Sequence, residues 1–218
     1  MSANQPPAQT NPRQPLMYGW LKTLLIIGVL GLIAFGIMLY IASPTRVPEG
    51  LQPVVKFDIE RFLGKWYEIV RLDHSFERGL QNVTAEYDKS DDGTIRVLNR
   101  GYNIKRARWE EKEGTAKFIG DPTVGSLKVS FFGPFYGGFH VIALDRDYRY
   151  AMVTGPSRKY LWILAREDKL PEEIVQGLLH QAKVWGYDTA KAIRITHNPA
   201  LATPGDQTPT TPPAEETP

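Results

Sequence analysis

Polar and apolar positions alternate with a period of two along most of residues 64–166, the spacing of strands that bury one face. Val83-Thr84-Ala85-Glu86-Tyr87-Asp88 alternates without a break, Ser90-Asp91-Asp92-Gly93 has the composition of a turn, and Thr94 to Asn103 resumes around Ile95, Val97 and Leu98, which predicts a hairpin. Further strands are predicted at Trp109–Ile119, Leu127–Phe132, Phe139–Leu144, Tyr148–Thr154 and Tyr160–Arg166, with a Gly-Pro-Phe-Tyr-Gly-Gly loop after Phe132. With the strand opening at Gly64-Lys65-Trp66, the count is eight. Eight antiparallel strands on short connections, with one longer loop after the first, suit an up-and-down barrel, whose closure removes exposed sheet edges. The rival is an immunoglobulin-like sandwich, which lacks its cysteine pair here.

Two stretches follow the helical period instead. After Pro171, Glu172 and Glu173 load the first turn with negative charge, Ile174, Val175, Leu178, Leu179, Ala182 and Trp185 share one face, and Gly186 ends the run. An amphipathic helix of that length belongs on the outside of the barrel. Ala192 to His197 is expected to add a short last strand.

The other stretch, Thr23 to Ala42, has no charge over 20 residues, enough at about 1.5 Å per residue for a hydrocarbon core of about 30 Å. It exceeds a signal-peptide core and lacks a small-x-small exit, so an uncleaved transmembrane anchor is favoured over a cleaved signal. Arg13 and Lys22 precede it and only Arg46 follows closely, placing residues 1–22 in the cytoplasm and the barrel outside. In a Gram-negative cell that side is the periplasm. Residues 43–56, with Pro44, Pro48 and Pro53, are expected to form a semi-extended tether, and residues 198–218, rich in Pro and Thr, a disordered tail.

Composition narrows the chemistry. A net charge of +2 with no basic run gives no footprint for nucleic acid, and the absence of cysteine excludes disulfides, thiolate chemistry and acylation of a cysteine. His74, His140, His180 and His197 are scattered without metal-ligand spacing, and no Gly-x-Ser-x-Gly is present. His140 has the opposite parity from Val141 and is a candidate for an inward position. Asn82-Val83-Thr84 fits a glycosylation acceptor only in a host that glycosylates.

Residues 57–197 resemble the bacterial lipocalins, the outer-membrane lipoproteins similar to apolipoprotein D. The likeness rests on GKWYEIVRLDHSFERGLQNVTAEY, DDGTIRVLNRGYN, GSLKVSFFGPFYGGFHVIALDRDYRYAMVTGP and YLWILARE, which hold Gly64 and Trp66, Asp147 and Tyr148, and Arg166 at the family's three signature blocks. The resemblance implies a structural role for these five residues, with Trp66 at the closed end and Arg166 stacked across it. If Arg166 faces the axis, period two puts Leu164, Trp162 and Tyr160 on the same inward face, nearer the mouth. The resemblance also associates Tyr136 and Trp162 with a lipid pocket. Together these imply a membrane-tethered carrier that reversibly binds a fatty acid or lysophospholipid at Tyr136, Trp162 and Tyr160, with no cofactor, metal or catalytic group. The alternatives are a tetrapyrrole or other pigment carrier, and an isomerase or esterase on the same fold. The chain departs from the resemblance in lacking the lipobox cysteine, and the 23–42 helix is the expected replacement for that acyl anchor.

Overall fold

The computed structural model describes residues 17–41 and 45–201, with side chains described for residues 20–33 of the first segment. Residues 1–16 of the polar segment expected over 1–22, and residues 202–218 of the tail expected over 198–218, lie outside the described residues. The structure divides into a helical unit and a barrel unit.

The helical unit is α1 (Met17–Ile41), and its described apolar side chains, among them Leu25, Ile27, Leu30 and Leu32, are all exposed. Among the described residues no helix is long and apolar enough to cross a membrane. The membrane-spanning expectation for 23–42 is therefore not supported.

The barrel unit is built from β1 (Gly64–Leu72), β2 (Leu80–Lys89), β3 (Ile95–Asn103), β4 (Arg108–Phe118), β5 (Ser126–Phe132), β6 (Phe135–Leu144), β7 (Tyr150–Thr154) and β8 (Leu161–Ala165). Each strand from β2 to β8 pairs antiparallel with the next, and β1 pairs with both β8 and β2, which closes the barrel. A ninth strand, β9 (Ala192–Arg194), takes the edge of β1 at Val70–Leu72, beyond the part of β1 that pairs with β2. Alternation fills both faces. Val141, Val153 and Leu164 point into the barrel with Trp66 and Tyr87, while Met152 and Ile163 point out and pack with Val175, Ala182 and Tyr187. The helix α2 (Glu172–Val184) is the expected amphipathic helix, and burying Val175 on the barrel's outer wall is worth about 1.5–3 kcal/mol.

Four local differences from the sequence reading have physical causes. The loop expected over 133–138 is only Gly133-Pro134, because Gly137 and Gly138 pair with Val129 and Lys128 in the ladder. Tyr148 does not begin β7; it sits in the preceding turn at φ 59°. Residues 45–56, expected to be a tether, lie along the barrel. Leu51 is buried, Val54 N–H donates to Val141 O at 2.8 Å, and Gly125 N–H donates to Val54 O at 2.9 Å. Residues 198–201 are likewise held, since the Asn82 side chain donates to Asn198 O at 2.9 Å and accepts from Asn198 N–H at 3.1 Å. With its amide engaged at both ends and buried, Asn82 is not presented as a glycosylation acceptor.

His140 does not take the inward position that its parity left open. Val141 takes the inward position, and His140 faces outward, wholly buried, with Nδ1 2.9 Å from Ser126 Oγ. Burial lowers its pKa from the ordinary 6.5, with the nearby backbone of Arg46 and Thr45 opposing. The unfolded chain therefore takes up a proton here before the folded one does, and stability is lost as pH falls through 6.5 toward the lowered value. His140→Gln is expected to flatten this part of the pH dependence, read as urea midpoints between about pH 5 and 8.

Candidate functional site

Alternating side chains converge at the two ends of the barrel to different effect. One end is plugged. A single-turn helix at Ile59–Phe62, which the periodicity did not reveal, is capped by the Asp58 carboxylate accepting from Glu60 N–H at 3.0 Å, and it drives Phe62 under the barrel floor. Phe62 stacks at 4.7 Å on Trp66, whose Nε1–H donates to Phe62 O at 2.7 Å. The Arg166 guanidinium covers the other face of this assembly at 4.0 Å from the Trp66 ring and donates to Lys65 O at 2.8 Å and Arg61 O at 2.7 Å. Gly64 stands at φ 86°, where a side chain is strained. Tyr148 closes the plug: its hydroxyl accepts from Asp58 N–H at 2.8 Å, and Arg61 lies 4.2 Å over its ring. Asp147 is exposed, and its backbone N–H donates to the Asp145 carboxylate at 3.2 Å. It is Asp145, held down to a pKa of about 2 chiefly by its hydrogen bonds from Arg149, that organises this turn.

Beyond the plug the barrel holds a cavity of about 500 Å³. Its wall is mostly apolar and aromatic, with Leu164, Phe139 and Val129 deeper and Phe131, Trp162, Tyr160 and Tyr136 toward the opening. Tyr160 and Trp162 stack at 6.2 Å with an interplanar angle of 14°. Gly155 makes this possible, because a Cβ there would lie 2.8 Å from the Tyr160 Cβ. The structure thus brings Tyr136, Trp162 and Tyr160 onto one cavity, and keeps Gly64, Trp66, Asp147, Tyr148 and Arg166 at the opposite end.

A buried polar cluster on the same wall was not singled out from the sequence. Glu68 and Glu77 line the cavity. Arg71, buried, donates to Glu68 Oε1 at 2.6 Å and to the carbonyls of Glu77 at 2.7 Å and Leu80 at 3.2 Å, which ties the loop over 73–79 to the barrel. Glu77 Oε2 accepts from Trp162 Nε1–H at 3.1 Å and lies 3.1 Å from His74 Nε2. The His74 ring stacks on Phe76 at 3.9 Å. Burial first, and the charge of Glu77 second, hold Glu68 well above the ordinary carboxylate range, against the pull of Arg71. Burial likewise pushes the Tyr87 phenol up, so it stays a neutral hydroxyl deep in the barrel. Asn99 Oδ1 is buried on the cavity wall without a hydrogen-bond partner among the described residues. Parity from Trp66 alone points Glu68 inward; Arg71 escapes that rule because the β1–β8 register shifts between Glu68 and Val70.

A closed eight-stranded antiparallel barrel, plugged at one end and hollow toward the other, defines a calyx. The chain belongs to the lipocalin family, with residues 57–197 matching the Lipocalin-like domain. It is 54% identical over 154 residues to the outer membrane lipoprotein Blc of Escherichia coli (strain K12), a match covering 71% of this chain and 86% of that one. The Vibrio cholerae outer membrane lipoprotein Blc is 50% identical over 150 residues, 68% and 88% of the two chains. Temperature-induced lipocalin-1 of Arabidopsis thaliana is 34% identical over 151 residues, 65% and 80%. Among solved structures, insecticyanin from the tobacco hornworm Manduca sexta shares the fold at a TM-score of 0.58 and 23% identity, covering 71% of this chain and 88% of that one.

Proposed function

We propose that this lipocalin reversibly holds a fatty acid or lysophospholipid in the barrel, with the acyl chain among Leu164, Phe139 and Val129 and the polar end toward Tyr136, Tyr160 and Trp162. The observation that carries the reading is the cavity itself: its volume of about 500 Å³ falls within the usual range for small-molecule sites, and its apolar wall is interrupted by few polar groups. Each methylene buried there is worth about 0.8 kcal/mol before ordering costs, so an acyl chain supplies affinity without any covalent step. The role that follows is lipid storage, transport or membrane maintenance.

The membrane enters through two further supports. The two Blc relatives are named outer membrane lipoproteins, and this sequence, which has no cysteine to acylate, carries the uncharged run Thr23–Ala42. In this proposal that run anchors the barrel on the extracytoplasmic face, with Arg13 and Lys22 on the cytoplasmic side. Carbonate extraction tests it, and release of the full-length protein into the soluble fraction would rule the anchor out.

Native mass spectrometry of protein purified from its own cells is expected to show a co-purified lipid of acyl-chain mass. Trp162→Ala is expected to weaken binding of a fluorescent fatty acid by about tenfold through lost aromatic area, while far-ultraviolet circular dichroism stays unchanged. Unchanged affinity would remove Trp162 from the site.

A further inference from the structure

Among the described residues, the open end of the barrel carries large apolar side chains that stand exposed. Phe132 and Phe135, flanking the tip of the β5–β6 hairpin, are 71% and 77% exposed. On neighbouring loops at the same end, Phe76 is 48% and Ile104 58% exposed. Three of these four, Phe76, Phe132 and Phe135, also line the cavity, so the exposed apolar rim is continuous with its wall.

Charge along the barrel axis is sorted to match. The loops at the open end, residues 73–79, 104–107, 133–134 and 155–160, hold five Lys or Arg against Asp73 and Glu77. Glu77 is turned inward and buried. The loops at the closed end, 90–94, 119–125 and 145–149, hold five Asp against Arg146 and Arg149. A net charge of +2 for the whole chain therefore conceals a dipole, positive at the mouth and negative at the floor.

We infer that the mouth is a docking surface for an anionic lipid bilayer. Aromatic rings at a hairpin tip, set among Lys and Arg, partition into the headgroup region while the cations meet acidic lipid, and the acidic floor is turned away. Phe132 and Phe135 enter the interface as a wedge. Because they continue into the cavity wall, a lipid moves between bilayer and barrel without crossing water. This surface stands independently of the identity of the ligand and of the role of α1.

The absence of cysteine makes single-site labelling clean. Ile104 lies on the rim and is absent from the cavity lining, so a probe there does not report on a lipid held inside. Full-length protein bearing Ile104→Cys, or Asp91→Cys at the closed end, is labelled with nitrobenzoxadiazole and reconstituted into phosphatidylethanolamine–phosphatidylglycerol vesicles. Acyl-chain-brominated lipid is expected to quench the label at 104 about twofold and leave the label at 91 unchanged. The quenching at 104 is expected to fall when phosphatidylcholine replaces phosphatidylglycerol or when salt is raised to about 1 M, and to disappear with Phe132→Ser/Phe135→Ser. A label at 104 that remains in water overturns the inference. A label there that is shielded from water but not quenched by brominated lipid also overturns it, since the rim is then covered by a second copy or another protein. Equal quenching at 91 and 104 overturns the orientation, and quenching that survives loss of both phenylalanines overturns the wedge.

Discussion

Trp66→Ala is expected to lower the unfolding free energy by about 3–5 kcal/mol, the range for emptying a large aromatic from a core that cannot collapse around the gap. The site has little freedom to relax. Trp66 is fully buried, stacked on Phe62 and covered by Arg166, whose guanidinium is fixed by the carbonyls of Lys65 and Arg61. The substitution also strands Phe62 O, which accepts the indole N–H. Trp66→Phe separates the two losses, keeping most of the packing and forfeiting the hydrogen bond at a cost of about 1–3 kcal/mol. Denaturant unfolding checks both values. Fatty-acid affinity measured under conditions where each variant is folded is expected to stay within a factor of about two, since the plug lies at the end of the barrel opposite Tyr136 and Trp162. A large loss of affinity in folded Trp66→Phe would mean that the floor shapes the cavity.

Arg71→Met is the second large effect, at about 3–5 kcal/mol of destabilisation near neutral pH, because it leaves Glu68 buried without its partner. It also removes two donors that hold the loop over 73–79, at Glu77 O and Leu80 O. The pH dependence separates the electrostatic part. In the variant, burial and Glu77 act on Glu68 unopposed and raise its pKa further. The folded state then keeps a proton that the unfolded chain releases, so stability is fullest below the ordinary value of 4.5 and declines as pH rises through the raised one. The decline is expected to be steeper than in the parent protein, and Glu68→Gln combined with Arg71→Met is expected to recover part of the loss by removing the orphaned charge. Urea midpoints across the acid range decide it. If the double variant is no more stable than Arg71→Met alone, the loop anchoring dominates.

Strands β2 to β5 were legible because they bury one face only, and such strands must alternate, whereas β7 and β8, buried on both faces, show as short apolar runs. The amphipathic helix after Pro171 was legible from its acidic first turn and one-sided apolar face. Where the pattern was short or interrupted, it gave less. Residues 59–62 make one turn, too few to display a helical period, yet they place Phe62 beneath Trp66. Residues 45–56 looked like a linker because their prolines and scattered apolar residues have no period; their order comes from pairing with Gly125 and Val141, which lie 70 or more positions away.

The candidate site divides in the same way. Tyr160, Trp162 and Leu164 lie in and beside an unbroken strand, so a single inward residue orders all three. Tyr136 was assigned to a loop and stands instead in β6, on the cavity wall. The cluster of Glu68, Arg71, His74 and Glu77 depends on a register shift in β1 and on the path of a loop, neither of which leaves a mark in composition. Four ionisable residues within ten positions were a visible signal, but read as a string they are indistinguishable from a solvated turn.

The pairing of β1 with both β2 and β8 bears on how the molecule comes into being. The partners Tyr67 and Ala165 are separated by nearly the whole barrel sequence, and the Asn82–Asn198 clamp spans more. During synthesis the early hairpins therefore exist for a time as an open sheet with the flank of β1 unsatisfied, and closure waits for the final strand to emerge. Such long-range joining favours slow assembly and exposes nascent chains to edge-to-edge association. The ring becomes self-contained only when its first strand meets its last.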